Sequence, residues 1–295
     1  MNALQLLESE HPSDNAAKTF EALVGIDPIK EALVDELSII LDRQRFQKWL
    51  KRHHPDGLGF AQRTTTKAPL ILLSGEVGCG KTELASCVAT PVARTIGERI
   101  LCMESPSDIR GGGHVGEISL RITEAFAQAK SKAAGLGRGI LIIDEADDVA
   151  TMRSQMQAHH EDRAGVNVLI KQIDQLAKSK VPIAVVMITN RADVLDPTVA
   201  RRAVLALHFE RPDKHARQAV FRQMLEGTKH KQADIDELVA MTERSIPYTF
   251  SDLTDRIGRL ALRHSWKKDM SFGLAALKDA ISEVQPTPLI EPIRK

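Results

Sequence analysis

The sequence is poor in cysteine, in aromatic side chains and in net charge, and each shortage narrows what the chain can do. Three cysteines, Cys79, Cys87 and Cys102, occur in 295 residues, none at C-x-x-C spacing. An odd, sparse set of this kind suggests reduced thiols in a cytosolic protein. Aromatics make up only 4%, and Tyr248 is the sole tyrosine, which argues against a base-stacking surface. Net charge is +1, so no global field draws the chain to nucleic acid or to an anionic membrane. No apolar run approaches the roughly 18 residues of a membrane helix. The start, MNALQLLESEHPSDN, has neither a basic n-region nor a long apolar stretch and does not read as a secretory signal. The expectation is a soluble, cytoplasmic protein with no membrane partner. Its apolar and charged content is ordinary for a globular chain, long enough for one large or two modest domains with real cores.

One stretch organises the rest: Pro69 to Glu83, PLILLSGEVGCGKTE. Leu70 to Ser74 form an apolar run with the length of a fully buried strand. A glycine-rich turn follows, and then a helix-forming run, ELASCVA. Between them stands Gly75-x-x-x-x-Gly80-Lys81-Thr82, the phosphate-binding loop pattern in its strand–loop–helix setting. Gly75, Gly78 and Gly80 let the backbone curl so that its N–H groups converge on phosphate oxygens. The N-terminus of the following helix adds partial positive charge. Lys81 can reach the β/γ-phosphates, and the Thr82 hydroxyl can ligate Mg²⁺. Val77, Cys79 and Glu83 complete the segment around the phosphates, with Cys79 read as small loop filler.

In chain order, residues 1 to about 18 read as a short polar arm with at most a helical turn or two. Asp27-Pro28 is an N-cap with proline at the first helical position, opening an amphipathic helix with Ile29, Leu33, Leu37 and Ile40 inward. Residues 43 to 66 are basic and irregular, with RHHPDGLG marking a turn. His53 and His54 have no carboxylate or cysteine at ligand spacing and read as a solvated loop. After the phosphate loop come a strand at Arg99–Met103, a loop with three consecutive glycines, Gly111 to Gly113, and a helix at Glu117–Lys132. A third buried strand, Gly139 to Ile143, runs into Asp144-Glu145-Ala146-Asp147.

An apolar strand ending in Asp-Glu about sixty residues after such a loop is the second half of an NTPase site. Asp144 can hold the Mg²⁺ shell, and Glu145 can take a proton from the water that attacks the γ-phosphate. A helix at Ala164–Leu176 precedes a fourth strand, Val181–Thr189, whose tip carries Asn190, an amide that can orient water or sense the γ-phosphate. LDPTVARR ends in Arg201 and Arg202, and Ala203–Phe209 is a fifth strand. From Asp213 the periodicity is helical throughout, with a boundary near Arg211. Residues 285–295, with three prolines, read as an extended tail. The expected division is an arm at 1–18, an α/β domain at 19–211, a small helical domain at 212–284 and the tail.

Taken together and in this order, these motifs resemble those of the AAA+ ATPases, in the AAA branch, over residues 20 to 285. The set comprises Val24-Gly25-Ile26-Asp27, GEVGCGKT, ILIIDEAD, the strand ending in Thr189-Asn190, LDPTVARR and the F-E-R-P switch into a helical lid. The resemblance implies a five-stranded parallel sheet of order 5-1-4-3-2 flanked by helices, a C-terminal helical lid, and a homo-oligomeric ring, usually a hexamer. It implies ATP with Mg²⁺, and nucleotide bound between neighbours. By position, Val24, Gly25 and Ile26 would line the adenine pocket, and Asn190 would be the first sensor. Arg201 or Arg202 would be the arginine finger presented to the next subunit's γ-phosphate.

VNVLIKQIDQL, Val166 to Leu176, further resembles the pachytene-checkpoint / thyroid-receptor-interactor type. Those ATPases remodel HORMA-domain proteins, and short bacterial relatives serve cyclic-oligonucleotide antiphage systems. That resemblance implies a HORMA-domain protein as the partner. Two positions depart from the pattern. The peptide-gripping trio of AAA translocases reads His114-Val115-Gly116 here, with a histidine in the aromatic place. The second sensor's register holds Asp252, and Arg256, one turn on and on the same face, is the substitute candidate.

Two other readings are open at this stage. A nucleic-acid-associated ATPase, of helicase-loader or transposition-helper type, would need a basic stripe, and Arg43 to Arg63 with Phe46 and Trp49 interleaved is the candidate. A solvated helix face explains that patch more simply. A nucleotide-gated switch without hydrolysis conflicts with the intact Asp144–Glu145 pair and the paired arginines.

Overall fold

The computed structural model describes residues 4–61, 67–106, 116–150 and 160–289. Six strands form one mixed sheet: β1 (Leu7–His11), β2 (Leu70–Gly75), β3 (Ile100–Glu104), β4 (Gly139–Ile143), β5 (Ile183–Thr189) and β6 (Ala203–Phe209). Their spatial order is β1-β3-β4-β5-β2-β6. Without β1 this is the five-strand order expected from the resemblance. β2, β4 and β5 are buried at every position, which is why they read as unbroken apolar runs rather than alternating ones. Parallel pairing sets Ser74 opposite Thr189 and Ile143 opposite Met187. The C-terminal ends of β2, β5 and β4 therefore lie side by side, the place where an open parallel sheet presents its ligand-binding loops.

β1 corrects the reading of the first residues as a polar arm. It pairs antiparallel with β3, Leu7 opposite Glu104 and His11 opposite Ile100. Leu7, Glu8, Ser9 and Glu10 all stay exposed, so the strand carries no apolar alternation for a sequence reading to find. Its anchors lie just before it and at its last residue. Leu4 and Leu6 enter the core, and His11 is buried with Nδ1 2.7 Å from Thr90 Oγ1. Burial lowers the His11 pKa, favouring the neutral ring. Charged side chains on this edge, with Glu10 ion-paired to Arg99, also guard it against pairing with another chain.

The helix Asp27–Leu41 forms where Asp27-Pro28 begins it, but its buried stripe is Lys30, Leu33, Leu37 and Leu41. Ile29 and Ile40, expected inward, are only half-buried. Lys30 takes an inner position because its ammonium lies over the Phe20 ring, 4.5 Å from the centroid, a cation–π contact that offsets its burial. Within the stretch 43–66 read as basic and irregular, Arg43–His53 is a helix, as the simpler reading of the basic patch supposed, capped by the Asp42 side chain, which accepts from Arg45 N at 3.0 Å.

The chain divides into two compact units. One comprises Met1–Phe20, Pro28–Ser74 and Thr82–His208; the other comprises Glu21–Asp27, Gly75–Lys81 and Phe209–Lys295. The second thus takes in two early stretches that a linear boundary near Arg211 leaves out. The first unit's core packs Phe126 and Leu169 against strand residues such as Leu72, Leu141 and Met187. Each fully buried side chain of this size contributes about 1.5–3 kcal/mol. The second unit contains helices Lys214–Met224, Gln232–Met241, Arg259–Lys267 and Leu274–Glu283, with π-helical turns at Asp252–Gly258. Phe221, Leu238, Ile257 and Leu277 fill its core around Tyr248, whose hydroxyl donates to Val284 O at 2.7 Å.

Candidate nucleotide site

The phosphate loop adopts the backbone its glycines permit. Gly75, Gly78 and Gly80 have φ of 137°, 77° and 90°, a region costly for residues with a Cβ. Space forbids a side chain as well: a Cβ on Gly75 would lie 2.1 Å from the Phe209 carbonyl oxygen. Ser251 N donates to Gly78 O at 3.0 Å, tying the loop to the start of a lid helix. Lys81 is buried, and Nζ donates to the carbonyls of Gly75 (2.8 Å) and Glu76 (2.6 Å), so its ammonium lies within the curl of the loop. Val77 is exposed at the loop tip. Cys79 points inward, and burial raises its thiol pKa against an opposing pull from Lys81; it is filler rather than a reactive thiolate.

Val24, Gly25 and Ile26 belong to the same unit as the loop. Gly25 has φ 81°, and a Cβ there would meet Ala216 Cβ at 2.8 Å. Ile26 is buried and Val24 packs on the lid core. Arg256 lies elsewhere in this unit's bonding: Nη1 donates to Asp252 Oδ1 (2.5 Å), to Gln285 O (3.0 Å) and toward Thr287 Oγ1 (3.3 Å).

In the other unit, the strand tips carry the acidic chemistry. The Thr82 hydroxyl donates to Asp144 Oδ2 at 2.8 Å, and Asp144 Oδ1 accepts from Glu145 N at 2.7 Å. Glu145 is exposed with φ +51°, one of two non-glycine residues with positive φ among the described residues. Such a conformation costs on the order of 1–3 kcal/mol and concentrates at functional sites. Glu83 is exposed one residue beyond Thr82. At the tip of β5, Thr189 Oγ1 donates to Asp147 at 2.7 Å and accepts from Arg191 N at 2.9 Å, bracketing half-buried Asn190.

The two arginines after the short helix Pro197–Ala200 differ. Arg202 is held by Asp174 through two bonds, Nε to Oδ1 at 2.9 Å and Nη2 to Oδ2 at 3.1 Å, and it also donates to Thr198 O. Arg201 is exposed, and its Nε donates to the carbonyl of Pro197 on its own helix, at 3.2 Å. Of the pore trio, His114 and Val115 lie outside the described residues. Gly116 is the left-handed residue preceding the helix Glu117–Leu136.

Comparison with known proteins decides the family. The family described as "ATPase family associated with various cellular activities (AAA)" matches residues 71–213. CD-NTase-associated protein 6 of Escherichia coli (strain MS 115-1) is 36% identical over 278 residues, which are 90% of this chain and 89% of the relative. The chain belongs to the AAA ATPases, in the CD-NTase-associated protein 6 group. A chain of the solved E. coli MS115-1 HORMA:CdnC:Trip13 complex matches at TM-score 0.90 and 33% identity, covering 98% of both chains. The solved Rhizobiales Trip13 matches at TM-score 0.76 and 32% identity, over 96% of this chain and 99% of that one. No described helix is long and apolar enough to cross a membrane.

For an AAA ATPase, the donor set at the strand tips fits Mg²⁺. Thr82 and Asp144 converge as hard oxygen donors, too few to cage a metal alone and suited to an ion that keeps water and phosphate oxygens. Glu104, at the end of β3, adds to the negative field: burial and then the Asp144 charge raise its carboxyl pKa. Sequence reading assigned no role to Glu104 or to Asp147; Glu104 carries no motif and its place at the end of β3 is the signal, while Asp147 closes ILIIDEAD and its bond to Thr189 gives it a part.

Proposed function

We propose that this protein is an ATP-hydrolysing remodeller that works as a homo-oligomeric ring, a hexamer, and opens a HORMA-domain protein within a cytoplasmic antiphage signalling system. One observation carries the reading. The protein it matches end to end, at TM-score 0.90, was solved in a HORMA:CdnC:Trip13 complex.

The residues have the following roles in it. Lys81 and the backbone of Gly75–Gly80 bind the ATP phosphates, and Val24, Gly25 and Ile26 meet the adenine. Thr82 and Asp144 would hold Mg²⁺, which supplies charge neutralisation on the β/γ-phosphates when bound. Glu145 accepts the proton of the attacking water; as an exposed carboxylate on a fixed, left-handed turn it is aimed rather than floating. Asn190 orients that water, held in place by the Thr189–Asp147 bond. Arg201 is the finger offered to a neighbour, since Arg202 is committed to Asp174 within its own chain. On the lid helix Arg259–Lys267, Leu262 and Trp266 are one turn apart and 57% and 85% exposed, an apolar pair that suits coverage by another copy. Gly116 directly follows His114 and Val115, which would grip the peptide.

The nucleic-acid reading loses support from the basic helix itself. Arg43 donates to Ser179 O at 2.8 Å and Arg45 to Thr95 O at 3.3 Å, and Phe46 stacks on Trp49 at 5.8 Å. Two of the patch's arginines are therefore engaged with their own chain. The test is to mix purified protein, ATP and the HORMA protein of the E. coli MS115-1 complex, and to follow the HORMA closed-to-open conversion by NMR. Conversion should require ATP and stop in Glu145→Gln, which keeps ATP and HORMA binding. A HORMA protein left unchanged under turnover would overturn the reading.

A further inference from the structure

The third residue of the F-E-R-P switch is an arginine that the nucleotide chemistry does not use, and its environment is unusual. Arg211 has a side chain only 6% exposed. Nε donates to Glu76 Oε2 at 2.8 Å and Nη2 reaches the same oxygen. Nη1 donates to Pro247 O (2.5 Å) and Thr287 O (2.7 Å), and Nη2 to Pro288 O (3.1 Å). All five guanidinium donors are thereby satisfied. Three of the five bonds hold backbone carbonyls that no helix or strand would fix, and two of those belong to the stretch after the last helix.

A second anchor holds the same stretch. Asp252 is 1% exposed. Its Oδ2 accepts from Thr287 N and Thr249 N, both at 3.0 Å, and its Oδ1 from Thr287 Oγ1 at 2.7 Å and from Arg256. Arg256 in turn donates to Gln285 O. Residues 285–288 are thus a strap bound on one side by Arg211 and on the other by Asp252 and Arg256. The residue at the second-sensor register and its proposed substitute both serve this strap.

Glu76 joins the strap to the phosphate loop. Its carboxylate holds Arg211, and its backbone carbonyl accepts from Lys81 Nζ. One residue of the loop therefore touches both the phosphate-binding lysine and the strap-binding arginine.

We infer that Glu76 and Arg211 couple the phosphate loop to the C-terminal strap, so that the hold on residues 285–288 changes when Lys81 engages a nucleotide phosphate. Arg211 is a positioning residue: it acts on the nucleotide through Glu76 and the loop backbone. This rests on the nucleotide-binding part of the function proposed above and is independent of the HORMA partner.

The experiment is hydrogen exchange on full-length protein, with and without ATPγS, read on the peptide spanning residues 284–289, together with steady-state ATPase kinetics. In the wild type, nucleotide should change exchange at the amides of Gln285 and Thr287. Glu76→Gln should abolish that nucleotide-dependent difference while exchange in the helices Lys214–Met224 and Gln232–Met241 stays as in the wild type. Arg211→Lys, which keeps a charge but not the five-donor fork, should raise the KM for ATP roughly tenfold with a smaller change in kcat. A wild-type strap indifferent to bound ATPγS, or a Glu76→Gln protein that retains the difference, overturns the coupling alone. Failure of ATPγS to bind the wild-type protein overturns the nucleotide site and the coupling together.

Discussion

The acidic strand tips of the first unit and the buried charges of the second handle charge in opposite ways. Asp144, Glu145 and Arg201 are exposed or half-buried and make few bonds, leaving oxygen and guanidinium groups for a substrate. Arg211 and Asp252 are sealed in, and their bonding capacity is used within the chain. Chemistry needs charge that can change partners during a cycle, whereas a buried charge is tolerable only when it is fully matched. Substitutions should therefore cost turnover in the first region and stability in the second, and that contrast can be broken.

The largest effect belongs to Glu145→Gln. Removing a general base costs typically 10²–10⁴-fold in rate, so kcat should fall on the order of 10³-fold with ATP affinity and melting temperature unchanged. Wild-type turnover in the variant would move the base elsewhere. Arg201→Ala comes next, with a loss of about 10²–10³-fold that is restored when it is mixed with a subunit carrying Arg201 but lacking Glu145, as a group supplied across an interface requires. Arg202→Ala should instead lower stability by about 1 kcal/mol, because it breaks an exposed bidentate pair, and lower turnover far less. If the two arginines exchange these phenotypes, the finger is Arg202.

In the second unit, Asp252→Asn should cost about 3 kcal/mol with little direct effect on the chemical step, since it leaves Arg256 and the amides of Thr249 and Thr287 facing a poorer acceptor. The pH dependence has a defined sign. Burial pushes the Asp252 carboxyl up, but the bonds from Thr249, Thr287 and Arg256 outweigh it and hold the pKa at about 2, below its ordinary 3.8. A depressed carboxylate contributes stability above its unfolded pKa and loses it as pH falls through the folded value. Thermal melts of the wild type and Asp252→Asn should differ fully above about pH 4 and converge as pH falls toward 2. A gap that stays constant across this range would show that the contribution of Asp252 is not that of an ionised carboxylate.

The same division explains what could be read from the chain beforehand. Five strands announced themselves as apolar runs, and the phosphate loop and Asp144–Glu145 as short local patterns, because chemistry of this kind needs residue types at fixed close spacing. β1 was silent, since its side chains from Leu7 to Glu10 face water and only its backbone pairs there. The inward stripe of Asp27–Leu41 slipped because Lys30 found an aromatic face 4.5 Å away, which polarity alone does not reveal. Arg256 was legible as a neighbour of Asp252 at i+4, but not as a ligand of Thr287, 31 residues on. Glu76 and Arg211 are 135 residues apart, so neither carries a local sign of the other. Distance along the chain, more than chemical subtlety, set the limit.

A smaller effect than that of Asp252→Asn is the most direct probe of whether the second unit's buried charges act as one network. Thr287→Val keeps the shape of the side chain but removes a hydroxyl that donates to Asp252 Oδ1 and faces Arg256 Nη1. A single neutral-to-charged bond of this kind is worth about 1–2 kcal/mol, so the urea midpoint should shift modestly with an unchanged slope. Arg256→Ala should cost a similar amount, being half-exposed and partly screened. Because both side chains meet the same carboxylate oxygen, the double variant should lose less than the sum, by at least about 0.5 kcal/mol. Strict additivity would mean that Asp252 serves two unrelated contacts, and the strap would then be fastened by independent bonds rather than by a network that the phosphate loop can loosen as a unit.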